Sequence, residues 1–296
     1  MVDVQIVERR DVMNNLKLDK KDWLHKSCLV DTCLEKVKCL ENAVIEDPND
    51  AFVWHELGDI YADFDHDKAV YCWSHASESY EKRLEQFKDD VQKFQKNPNH
   101  LLFMNVDSAD MRHEISLRLY NLGSCFANLE KHSRSSEVFL KSYSINSDNI
   151  DAVYYASKEL YESERMSDAE KHLLEYLEFV NDYRAWYLLG MIYWKRNEIN
   201  DAQNCFWECI DHAGDDTDAC YHKHLAFFML GNRRLAESYL KDAVFQDLDN
   251  EDMIESLIKF YEENDMPKRA YRYYRILHQK EKKQKKNLEI GSDLSW

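Results

Sequence analysis

Apolar residues recur every three to four positions along nearly the whole chain. In YRAWYLLGMIYWKRN (183–197), Trp186, Leu189 and Tyr193 fall at the spacing of one helical face. EIND then breaks the pattern as a turn, and AQNCFWECIDHA resumes it with Ala202, Phe206 and Cys209. The segment predicts two helices joined by a short connection. AFVWHELGDIYA (51–62) carries Trp54, Leu57, Gly58 and Tyr61 at the same spacing. Pro48 cannot continue the helix ahead of it, and Asn49-Asp50 supply a cap for the next.

A longer period overlies this one. Leu57-Gly58, Leu122-Gly123 and Leu189-Gly190 are each followed three residues later by an aromatic, namely Tyr61, Phe126 and Tyr193. One helix further on, a small residue recurs at Ala69, Ser135, Ala169, Ala202, Ala236 and Ala270, the last five separated by 34, 33, 34 and 34 residues. Small residues at both places let two helices approach closely enough for ridges to seat in grooves. Pro267 precedes the last predicted helix, where its missing N–H costs nothing.

Units of this length and pattern resemble the tetratricopeptide repeat. The residues that carry the likeness are Trp54, Leu57, Gly58, Tyr61, Ala69 and Ala76, with Ala43 and Pro48 closing the unit before. Two units depart from it: Ala156-Ser157 and Lys223-His224 stand in place of Leu-Gly. The resemblance divides the chain into an N-terminal extension (1–19), a degenerate first repeat (20–50), a repeat (51–76), an insertion (77–115), five repeats (116–284) and a flexible tail (285–296). It implies an all-α fold, a right-handed superhelix of stacked hairpins interrupted by a long helix and loop.

The insertion is where the period fails. From near Lys68 the apolar spacing continues through Trp73, Ala76, Tyr80, Leu84, Phe87, Val91 and Phe94 as far as NPNH at 97–100. That predicts a helix of nearly thirty residues, on the order of 40 Å long. Its far seam is covered either by LLFMNV (101–106) folding back or by a second copy or partner along residues 77–106.

Composition narrows the function. Three prolines and six glycines leave little turn material for a sheet protein. A net charge of −17 and a pI near 5.1 argue against a general affinity for nucleic acid or anionic membrane. MVDVQIVERRDVMNN lacks the apolar run of a secretory signal, and no stretch reaches membrane-spanning length. Eight cysteines are then expected as free thiols in a reducing compartment, cytoplasmic or nuclear. No phosphate loop, nucleophile elbow or HExxH helix is present, so an enzyme is not expected and no cofactor is called for.

The resemblance implies that the second, fifth, ninth, twelfth and thirteenth places of each unit line a concave face. The fifth place holds His55, Tyr120, Tyr154, Tyr187, Tyr221 and Glu255. Tyr161, Met191, Trp194, Leu225, Phe228 and Met229 fall near it, giving an apolar and aromatic surface suited to a peptide or helix. The same rings would alternatively pack between adjacent units. The Lys/Asn/Arg clamp with which some members grip a terminal carboxylate is missing from these places.

Cys205, Cys209, Cys220 and the nearby His212, His222 and His224 offer zinc-type donors, but their spacing matches no compact ligand knuckle, and core packing is the expectation. Lys268, Arg272, Arg275, Lys282 and Lys286 fall along one face of a C-terminal segment with nine basic residues against one acidic. They belong either to a basic capping helix or to a dock for RNA, DNA or an acidic partner. The chain is therefore expected to be a non-enzymatic scaffold or adaptor for a protein or peptide. The alternative is a nucleic-acid-associated subunit docking through the basic helix.

Overall fold

The computed structural model describes residues 19–30, 33–63, 65–96, 109–248 and 250–292, and among them the protein is all-helical. Fourteen helices follow one another: α1 (Lys20–Ser27), α2 (Cys33–Glu46), α3 (Ala51–Ala62), α4 (His66–Lys96), α5 (Ala109–Asn128), α6 (His132–Ile145) and α7 (Asp151–Glu162). After them come α8 (Met166–Leu177), α9 (Tyr183–Lys195), α10 (Ile199–His212), α11 (Thr217–Met229), α12 (Arg233–Gln246), α13 (Glu251–Glu263) and α14 (Pro267–Ser292). None is long and apolar enough to cross a membrane among the described residues. The chain forms two compact units, residues 1–172 and 173–296.

Polar caps start the helices. Asp50 accepts from the Phe52 and Val53 amides, Asp182 from Arg184, Asp216 from Ala219 and Asn250 from Met253. The carbonyl of Pro48 accepts from the Trp54 indole at 2.9 Å, fixing the approach to α3. The turns inside the hairpins are equally uniform. Glu130, Glu164, Asn197, Gly231 and Asp265 all have positive φ, and each is followed by an amide that returns to the fifth residue back: Lys131 to Phe126, Arg165 to Leu160, Glu198 to Tyr193, Asn232 to Phe227 and Met266 to Tyr261. Only one of these five left-handed caps is glycine.

Glycine serves the packing instead. Gly123 faces the Phe139 ring, Gly190 faces Phe206 and Gly58 faces Trp73; a Cβ would lie 2.9 Å from Phe139 and 2.6 Å from Phe206. Each ring sits four residues after the recurring small residue. Where Gly gives way to Ser157 or His224, that later position holds Leu173 or Leu240 rather than a ring. All six small residues are buried.

In the first unit α1 packs on α2, α3 on α4 and α5 on α6, and each hairpin packs on its sequence neighbour through α2–α3, α4–α5 and α6–α7. Leu40, Ala43, Val53, Leu57 and Trp73 form one core, and Ala76, Tyr80, Leu122, Cys125 and Phe126 another. In the second unit α9 pairs with α10, α11 with α12 and α13 with α14. Its cores are built on Phe206 and Cys209, and on Leu240, Ile254, Leu257 and Tyr261. α4 runs for 31 residues, about 46 Å, as the continuing apolar spacing predicts. The segment 101–106 lies outside the described residues.

Candidate functional site

The predicted surface residues divide between the units. Tyr120, Tyr154 and Tyr161 belong to the first; Tyr187, Met191, Trp194, Tyr221 and Phe228 belong to the second.

In the second unit α9 and α11 touch directly. Tyr187, Met191 and Trp194 follow one another at i, i+4 and i+7 on α9, as Tyr221, Leu225 and Phe228 do on α11. Each trio therefore shares a face about 10 Å long. Trp194 is 39% exposed and Phe228 is 40% exposed, while Tyr187, Met191, Tyr221 and Leu225 are half-buried. The tyrosines are braced from behind. Tyr187 lies 5.8 Å from the Phe206 ring and 5.8 Å, edge to face, from His222. Tyr221 reaches Ser256 of α13 at 3.4 Å and leans on His224. Phe228 contacts His224 and Phe260. On α13 the corresponding places hold Glu255, Lys259 and Glu262, so the apolar wall stops there.

Charge frames this wall. Asp182 is buried at the start of α9, where it accepts from the Tyr176 hydroxyl at 2.9 Å and from the Arg184 guanidinium. Burial opposes its ionisation, yet the bonds from Arg184 and Tyr176 outweigh that and hold the carboxyl below the usual range. The Tyr183 hydroxyl donates to Asp218 at 2.7 Å; burial and that carboxylate push the phenol up. His224 is buried, and its Nδ1–H donates to the Ala236 carbonyl at 2.9 Å. Burial disfavours the imidazolium and lowers its pKa.

In the first unit Tyr120 packs edge-on to Phe139 and Tyr155, and Tyr161 is half-buried. Tyr154 is only 8% exposed and packs against Tyr155, so it contributes to the interior rather than to a surface. The corresponding places around it are polar: Lys158 on α7, Ser124 on α5 and Asp59 on α3.

The cysteine–histidine cluster does not converge. Cys205, Cys209 and Cys220 are buried, Cys209 with Phe206 and Ala226 in an apolar core, and no three metal-type side chains come together among the described residues. Burial raises the Cys205 and Cys209 thiols to about 12 and Cys72 to about 11. Cys39, Cys125 and Cys220 are buried too, while Cys28 and Cys33 are exposed.

Lys268, Arg272, Arg275 and Lys282 stand exposed along α14, none in an ion pair among the described residues, and exposed Tyr271 lies among them. The side chain of Lys286 falls outside the described set. Opposite this face, Ala270, Tyr273, Ile276 and Leu277 pack on α13, so the helix is an integral part of the second unit.

Residues missed in the sequence are Phe52 and Leu117, both at the second place of their units and about half exposed, and the cations Lys82 and Arg83 on the continuation of α4. The place was legible from the resemblance; the cations were not, because they lie past the point where the 12- to 14-residue second helices of the internal repeats end.

A family model described as tetratricopeptide repeat matches residues 118–149 and 183–214. No curated protein matches. Among solved structures, MamA is 18% identical with a TM-score of 0.40, covering 55% of this chain and 96% of its own. YrrB, described as a TPR protein with an unusual peptide-binding site, is 17% identical with a TM-score of 0.36, covering 74% and 98%. A thermophilic TPR protein of Thermus thermophilus is 16% identical with a TM-score of 0.48, covering 60% and 98%.

Proposed function

We propose, from the premise that residues 118–149 and 183–214 match the tetratricopeptide repeat, that the chain is a non-enzymatic scaffold that holds a partner's apolar peptide or helix on the α9–α11 wall. The observation that carries this is the pair Trp194 and Phe228, equivalent residues of successive repeats, both about 40% exposed beside half-buried Met191, Tyr187 and Tyr221. Large rings already held by neighbours lose little freedom on binding, and covering them yields about 25 cal/mol per Å². The tyrosines act here as braced edges with a hydroxyl each, while Trp194 and Phe228 supply most of the free area.

The experiment uses the full chain and its Trp194→Ala/Phe228→Ala variant. Peptides selected on the immobilised wild type from a random library are measured by fluorescence anisotropy. Peptides with spaced apolar residues should bind the variant at least about tenfold more weakly. Equal affinity of wild type and variant for every selected peptide would sink the reading.

A second reading rests on α14. Its exposed, unpaired Lys268, Arg272 and Arg275 beside Tyr271 combine cations with an aromatic platform, a pairing that suits single-stranded nucleic acid. Reversing the three charges to Glu leaves the buried face intact and removes retention of a labelled oligouridylate if this reading holds.

A further inference from the structure

We propose that a cleft in the first unit, walled by the continuation of α4, is a docking site for an acidic peptide segment that carries an apolar side chain. The cleft has a volume of about 640 Å³ and lies between the start of α3, the middle of α4 and the body of α5. Phe52 and Leu117, 50% and 48% exposed, line it from α3 and α5. Lys82 and Arg83 line it from α4, and Arg118 from α5.

The α4 wall exists only because this helix departs from the repeat. The second helix His132–Ile145 has 14 residues. Cut to that length, α4 would end at Ser79, before Lys82, Arg83 and Gln86. The continuation also sorts its charges. Lys82, Arg83 and Gln86 line the cleft, whereas Glu78, Glu81 and Glu85 do not, and Glu81 pairs with Arg134 of α6. In a chain of net charge −17, a helix turn that points its cations into one cavity and its carboxylates away from it marks an anionic guest.

Pairing within the cleft leaves two cations over. Lys20 bonds Asp47 and Asp50 at 2.8 Å each, and Arg118 bonds Glu114 at 2.6 Å. Neither Lys82 nor Arg83 is in a hydrogen bond or ion pair among the described residues, although the Arg83 charge helps to depress the Asp47 pKa after the stronger bond from Lys20. Those three lining carboxylates also select the class of guest. A continuous polyanion such as RNA would be repelled by them, whereas a peptide can place single carboxylates at Lys82 and Arg83 and an apolar side chain between Phe52 and Leu117.

The test uses the full chain and a fluorescein-labelled decapeptide of Glu and Asp with a central Leu-Phe pair. Controls are the same peptide with Lys and Arg for the acids, and with Ser-Ser for Leu-Phe. The acidic apolar probe should bind at least about tenfold tighter than either control, and Lys82→Glu/Arg83→Glu should abolish that margin. Both positions are exposed, so far-UV circular dichroism should not change. The Trp194→Ala/Phe228→Ala variant should bind the probe as the wild type does, which separates this site from the wall of the second unit. Three results overturn the proposal: undiminished probe binding by the charge-reversed variant; tighter capture of oligouridylate that the same variant loses; or self-association in sedimentation that the same variant abolishes, which would make a second copy the occupant.

Discussion

A methyl group at Gly190 would collide with the Phe206 ring, and this reverses an ordinary expectation. In a helix interior Gly→Ala normally gains close to about 1 kcal/mol. Here overpacking costs about 1–3 kcal/mol, so Gly190→Ala should lower the urea midpoint, with a net loss of up to about 2 kcal/mol. Glu164 presents the opposite case. It is exposed and held at φ 62°, a conformation that suits glycine, so Glu164→Gly should raise the urea midpoint, with a net gain of about 0.5–1 kcal/mol. His224 ties stability to pH. Its pKa is lowered in the folded state from the ordinary 6.5, so the unfolded chain binds the extra proton first. Stability should therefore fall as pH drops through about 6.5 towards the lowered value and level off below it. Urea titrations from pH 7.5 to 5 on wild type and His224→Gln check this; an unchanged slope in the variant would exonerate His224.

Helix pairing was the most legible feature of the sequence, because Gly and Ala places encode the close approach of two cylinders. The length of α4 was legible for the same reason: Trp73, Ala76, Tyr80 and Leu84 maintain one apolar face. The five left-handed turns were not legible, since four of them lack glycine and their cause is the returning amide rather than the residue type. The candidate surfaces were legible by place and not by exposure. Tyr154 and Tyr187 occupy the same place in their repeats, yet only Tyr154 is buried, where its ring packs against Tyr155. The basic run at the C-terminus gives another instance. Its charges were visible, but not the packing of Ala270, Tyr273, Ile276 and Leu277 beneath them. A chain cut after Asp265 should thus lose more than a charged patch. Leu257, Ile258, Phe260 and Tyr261 would be uncovered, and static light scattering should show aggregation that the full chain does not.

Taken whole, the molecule carries a net charge of −17, and among its exposed cations Lys82 and Arg83 stand at the α4 cleft while Lys268, Arg272 and Arg275 stand on the exposed face of α14. Each site is separable from the apolar α9–α11 wall by substitutions of exposed residues, so three surfaces can be examined without unfolding the chain. The distribution of sulfur adds a way to watch that chain come apart. Cys39, Cys72 and Cys125 are sealed in the first unit and Cys205, Cys209 and Cys220 in the second, while Cys28 and Cys33 face solvent. A short pulse of iodoacetamide on the native protein should mark two positions at once and spare six. As urea is raised, the order in which the remaining peptides gain mass would date the opening of each half separately, using only atoms the protein already carries. Marking of Cys209 as fast as Cys28 in the absence of urea would mean that the second core is not closed.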